Sequence, residues 1–141
     1  MLTRRRQARI LAMQALCQWD VQGDESTKAL AEFLCARQAS ESDVGKATEI
    51  VQKFWAHRQS VDDRIEARAT NWDLKRLSPV DRNVMRVALV EWMTDDVPAK
   101  VVLDEAIEIG KEYGGAESPR LINGILDKVL KKMNADNPTD R

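Results

Sequence analysis

Arg4, Arg5, Arg6 and Arg9 fall within the first nine residues, and no acidic residue separates them. Guanidinium groups at that density suit phosphate binding. Each is a planar fork of donors that keeps its charge at any physiological pH. The whole chain has 22 basic and 23 acidic residues, a net of −1; without these four arginines 18 basic residues remain, and the balance is −5. The positive charge is therefore local, a basic arm on a mildly acidic body. Such an arm fits RNA, DNA or an acidic partner, and the plainer reading is a solvated terminus.

No other residue types converge on a reaction. His57 is the only histidine and stands at the end of a predicted helix, where it meets the helix dipole. Asp62-Asp63 and Asp95-Asp96 are neighbours in sequence, a spacing that does not converge on Ca²⁺ or Mg²⁺. There is no Gly-rich phosphate loop, no H-E-x-x-H, no cysteine–histidine metal spacing and no G-x-S-x-G. The expectation is no catalytic residue, no metal ligand and no cofactor. Cys17 and Cys35 lack a C-x-x-C spacing and read as reduced thiols in the core. No apolar run reaches the roughly 18 residues of a membrane span. The segment after the arm is interrupted by Gln14, Gln18 and Asp20, unlike a signal peptide, so the expected location is cytoplasmic.

The elements that position the arm read as helices. Of 141 residues, 43% are hydrophobic and 32% charged, with only six glycines and four prolines. Apolar spacing is helical almost throughout, which predicts an all-α, compact single-domain bundle of about seven helices. These span about 5–21, 26–38, 43–57, 60–70, 79–93, 99–113 and 119–133. Residues 1–133 form one domain with its arm at 1–9, and 134–141 form a polar, disordered tail. The stretch Ile10 to Cys17 is apolar nearly all round, so the first helix threads the middle of the bundle. Ser78-Pro79-Val80-Asp81 is a helix start, with serine as cap and proline at the first helical position, and Ser118-Pro119 repeats the device. Gly114-Gly115 can end a helix in the left-handed conformation.

Three positions in these helices bear on function. Glu91 lies on the same side as Val84, Val87 and Ala88, so a buried carboxylate there needs an arginine partner. Gly110 sits in the apolar stripe that ends at Tyr113 and predicts a close helix contact. Asn123-Gly124 midway through the last helix costs about 1 kcal/mol for the glycine alone. Either a helix packs against that bare backbone or a ligand approaches it.

Three blocks carry a resemblance. They are Arg4-Arg5-Arg6-Gln7-Ala8-Arg9 running into Gln14-Ala15-Leu16-Cys17-Gln18-Trp19; Pro79 to Trp92; and Val97-Pro98 through Glu105-Ala106-Ile107-Glu108 to Asn123-Gly124-Ile125-Leu126-Asp127. Together they resemble the NusB family of transcription antitermination factors. The resemblance implies a seven-helix domain that binds the boxA element of ribosomal RNA leader transcripts. It does so with NusE, a small-subunit ribosomal protein, so that RNA polymerase reads through terminators. It places RNA contacts on Arg4, Arg5, Arg6 and Arg9, and on Arg120 and Leu121 with Asn123 adjacent. It places NusE at the start of the fifth helix, on Asp81 and Arg82. Many family members have tyrosine where this chain has Cys17.

Two other roles fit such a sequence. NusB-like domains precede ribosomal RNA cytosine methyltransferase domains, but 141 residues leave no room for a cofactor-binding sheet, so no S-adenosylmethionine binding is expected. A pure protein-interaction module is the other. A homodimer is possible for a helical bundle, although no apolar face is clearly left over. Were all four arginines to neutralise phosphates, the single-strand salt slope would be roughly −3, about a fifty-fold loss between 50 and 200 mM.

Overall fold

Serines at helix starts give the orphan backbone donors a partner. Ser26, Ser40 and Ser78 each accept a hydrogen bond from the backbone N–H three residues on, at 3.1 Å. In the last case Pro79 follows as the first helical residue, where its missing N–H costs nothing. The computed structural model describes residues 2–69 and 74–136, apart from the side chains of 2–4, 75 and 134–136. Its elements are α1 (Leu2–Gln22), α2 (Thr27–Cys35), α3 (Glu41–Arg68), a 3₁₀ turn (Leu74–Arg76), α4 (Pro79–Thr94), α5 (Ala99–Tyr113) and α6 (Ser118–Asp136). No strand occurs among the described residues, so the all-α reading holds.

Two helices form the centre. Ile10 to Met13, with Ala15 and Leu16, are buried on α1, and every residue from Asn83 to Trp92 is buried on α4. Helix α4 packs against α1, α3, α5 and α6, and α1 packs against both α3 and α4. Alanine at positions 8, 12 and 15 lets the neighbouring helices approach closely. At Gly110 an added Cβ would stand 2.6 Å from Ile122 Cδ1, so glycine there sets the approach of α6 to α5, as the stripe predicted.

Several expectations change. The helices expected at 43–57 and 60–70 are two helical segments that run on from one another within α3, and the expected division at His57 is a kink where that residue leaves helical geometry (φ −118°, ψ 15°) rather than a loop. No glycine or proline interrupts the chain there, and buried Val61 and Ile65 continue the apolar series of Phe54. The His57 ring, Nδ1 2.9 Å from the Lys53 carbonyl, sits at the bend. Ser60 lies within the helix and accepts from Arg64 Nε rather than capping anything.

Gly114 is not left-handed (φ −95°). It ends α5 because a Cβ would fall 2.6 Å from Ser118 Cβ and 2.8 Å from the Gly110 carbonyl oxygen. Ser118 is already the first residue of α6, and its buried hydroxyl accepts the Gly115 N–H at 2.9 Å, tying the turn together. The left-handed glycine is Gly23 (φ +72°), whose N–H closes α1 on the Trp19 carbonyl. Cys35 is exposed and Cys17 half-buried, so neither is a core residue, although both are free thiols. Helix α6 runs three residues past its expected end, and 137–141 of the expected tail lie outside the described residues.

Candidate nucleic-acid interface

The first turns of α1 direct their arginines at two carboxylates. Arg6 and Arg9 are three residues apart and share a helix face, with Arg5 beside it. That face meets Glu91 near the end of α4 and Glu105 midway along α5. Arg9 Nε donates to Glu91 Oε1 at 2.5 Å, and Nη2 to Oε2 at 3.1 Å. Arg9 Nη1 donates to Glu105 Oε1 at 3.2 Å. Arg6 takes Glu105 in a fork, Nε to Oε1 at 3.0 Å and Nη2 to Oε2 at 2.7 Å. Arg5 Nη1 approaches Glu91 Oε2 at 4.0 Å. The result is a ladder of alternating charge, Glu91–Arg9–Glu105–Arg6, rising from the core to the surface.

Position on the ladder decides what each arginine can do. The side chains of Glu91 and Arg9 are 1% and 2% exposed, those of Arg6 and Arg5 35% and 46%. Arg9, expected among the RNA contacts, is placed as the buried counter-ion that Glu91 required. It follows Ala8 and precedes Ile10, both buried, so the helix turns it inward. Arg5 and Arg6 remain at the surface, and the Arg4 side chain lies outside the described residues.

The ladder has a pH signature. The hydrogen bond from Arg6 holds the Glu105 carboxyl below its usual range, and burial only partly opposes it. Burial pushes Asp20 and Asp95 up, but donors outweigh it and both end low: Asn83 and Arg86 on Asp20, Lys46 and Lys53 on Asp95. Carboxyls depressed in the fold bind protons more readily when unfolded, so they stabilise the fold above their unfolded pKa and lose that effect as pH falls. The thermal midpoint is expected to be flat above about pH 5 and to fall steadily below about pH 4. Melting curves from pH 7 to 3 check this, and a midpoint that rises on acidification contradicts it.

The start of α6 supplies the second group. Arg120 and Asn123 are exposed and Leu121 is half-buried. Gly124 is also exposed, and a Cβ added there would meet nothing within 4 Å. Helix packing therefore does not explain Asn123-Gly124, whose side stays open to solvent. Just before this turn, Tyr113 is 40% exposed, although its stripe had placed it in the core. It lines an open groove with Gln14 and Cys17 of α1, Phe33 of α2 and Arg37 of the turn after α2. Sequence reasoning missed Tyr113 as a surface aromatic; its place at the last turn of α5, next to Gly114, was the available signal. Cys17 Sγ lies 3.5 Å from Asn83 Nδ2 and from the Pro79 carbonyl, and burial pushes its thiol pKa up.

Asp81 and Arg82, expected as docking residues, both pack into the fold. Asp81 is buried, its Oδ1 without a hydrogen-bond partner. Arg82 donates to Asp20 Oδ2 at 3.1 Å and to the carbonyls of Leu74 and Leu77 at 3.1 and 3.0 Å, fastening the 3₁₀ turn to α1 and α4. They shape that corner from beneath. Among the described residues no group of three or more His, Cys, Asp or Glu side chains could hold a metal ion, and no helix is long and apolar enough to cross a membrane.

Comparison with known proteins agrees with this architecture. Residues 6–131 match the NusB family. A transcription antitermination protein NusB of Anaeromyxobacter dehalogenans is 46% identical over 130 residues, 92% of each chain. The T. maritima NusB structure superposes with a TM-score of 0.79 at 35% identity, over 91% of each chain. A NusB crystallised with NusE and double-stranded RNA shares the fold at a TM-score of 0.81 and 22% identity, over 94% of this chain and 99% of that one. The family match spans most of the chain and the relative is nearly half identical over 92% of it, so the chain belongs to the NusB family.

Proposed function

We propose that this chain binds boxA-type single-stranded RNA of ribosomal RNA leader transcripts together with NusE, and thereby promotes read-through of terminators by RNA polymerase in the bacterial cytoplasm. It acts by binding and not by catalysis. The observation that carries the reading is the set of open guanidinium groups, Arg5, Arg6 and Arg120, on a body otherwise net acidic, with an exposed aromatic nearby.

The chemistry follows from the residue types. Arginines at the starts of α1 and α6 grip phosphates without reading sequence. Arg4 adds to the grip. Unpaired bases of a single strand are open to stacking and to hydrogen bonds. Tyr113 supplies a stacking face, Asn123 an amide that both donates and accepts, and Leu121 an apolar contact. Gly124 admits a strand close to the α6 backbone. So few open cations give weak binding alone, and NusE completes the RNA surface. The 22%-identical NusB solved with NusE and RNA supports an assembly of this composition.

Titration of labelled boxA-type RNA against scrambled and duplexed controls, with and without NusE, tests the reading. A modest preference for boxA alone and a large gain with NusE are expected. Equal affinity for boxA and the scrambled strand under both conditions would defeat it.

A further inference from the structure

We propose that Arg5 and Arg6 form a clamp for a single phosphodiester and that Glu105 is the positioning residue that aims Arg6 at it; the inference rests on the RNA-binding reading above. Three guanidinium groups (Arg5, Arg6, Arg9) meet two carboxylates (Glu91, Glu105), and Glu108 and Glu112 add their field at Arg6. Arg9 is sealed between both paired carboxylates while Arg5 and Arg6 are partly open, so theirs are the donors a phosphate can reach.

The geometry of Arg6 assigns the role of Glu105. Arg6 spends its Nε and Nη2 donors on the carboxylate at 3.0 and 2.7 Å. The other edge of the fork, along Nη1 and the second Nη2 hydrogen, stays open. A guanidinium fixed along one edge presents the opposite edge in a set direction, and that edge matches two phosphate oxygens. Glu105 is itself held by Arg9, so its orientation is inherited from the core. Arg5, 4.0 Å from Glu91 and half exposed, closes on the same anion from the neighbouring position. A loose arginine would have to be ordered by the RNA at the moment of binding, which weakens capture.

This reading makes a prediction opposite in sign to that of net charge. Glu105→Gln makes the protein one unit more positive, which on charge alone tightens binding to a polyanion. Loss of aim predicts weaker binding. The test is a double-mutant cycle of Arg6→Ala and Glu105→Gln, read as RNA affinity at fixed salt, with melting curves to confirm folding. Arg6→Ala is expected to weaken binding about tenfold and to flatten the salt slope by about 0.7, one phosphate's worth. Glu105→Gln is expected to weaken binding severalfold, and in its background Arg6→Ala costs no more than about threefold. A merely structural carboxylate leaves the Arg6 effect undiminished. If Glu105→Gln melts below the assay temperature, Glu105→Asp, which retracts the carboxylate by one methylene, takes its place with the same expected coupling. Binding by the Glu105 variant as tight as the parent, or an Arg6 effect of equal size in both backgrounds, would overturn the clamp. Failure of the parent chain to prefer boxA would instead defeat the functional reading.

Discussion

Arg9→Ala is expected to lower the thermal midpoint by about 10–20 °C, far more than any other arginine in the arm. The change leaves Glu91 1% exposed with its charge and no fork of donors. Breaking one side of a buried pair costs about 3–5 kcal/mol, against less than about 1 kcal/mol for an exposed pair. In a domain of this size each kcal/mol moves the midpoint by about 3–4 °C. The effect belongs to the fold, and a second variant shows it. Arg9→Met with Glu91→Leu removes both charges, keeps the volume, and is expected to recover most of the stability. Because the pair is removed together, the net charge is unchanged, and RNA affinity should fall severalfold at most, by as much as the loss of Arg9's hold on Glu105 loosens Arg6. Melting curves and RNA titrations measure both. A stable double variant that no longer binds RNA would return Arg9 to the interface.

The opposite pattern is expected when Arg5, Arg6 and Arg120 are all replaced by alanine. Each is open to solvent, and Glu105 keeps Arg9 as a partner when Arg6 is lost, so the midpoint should move by only a few degrees. RNA affinity should fall by about a hundredfold at low salt, from two phosphate contacts at about 1.5 kcal/mol each, one at the Arg5–Arg6 clamp and one at Arg120. Capture of NusE in the absence of RNA should persist. If RNA affinity is unchanged, the arm is only a solvated terminus and the chain is a protein-interaction module.

How much of this was legible in the sequence depended on whether a feature was local. Ser78-Pro79 announced α4 because capping is decided within four residues. Gly110 announced close packing because its stripe showed which side it faced. Glu91 announced the need for an arginine, since burial on α4 followed from its apolar neighbours, yet nothing local identified Arg9 across 82 positions. The arm read as four equal arginines because like charges in a row show no helical face. Only the packing of α1 against α4 and α5 separates Arg9, which holds the fold, from Arg5 and Arg6, which remain open. The same limit hid Arg86, which is buried between Asp62 and Asp20 and lies 4.9 Å from the Phe54 ring centroid. The division at His57 was legible, but Ser60 looked like a separate helix start because its hydroxyl and the acids after it suit a first turn, whereas the chain goes straight on from the kink. The exposure of Tyr113 was missed because periodicity says which side of a helix a residue takes but not where the neighbouring helices end.

The salt dependence of RNA binding tests most directly the claim that only the open guanidinium groups count. The clamp, Arg120 and Arg4 together neutralise about three phosphates, which gives a single-strand slope near −2 and about a twentyfold loss of affinity from 50 to 200 mM salt. A slope near zero would mean that no phosphate is gripped. A slope of −3 or steeper would mean that four or more phosphates are gripped, so that Arg5 and Arg6 do not share one or the buried Arg9 also reaches the RNA, and either result would contradict the account.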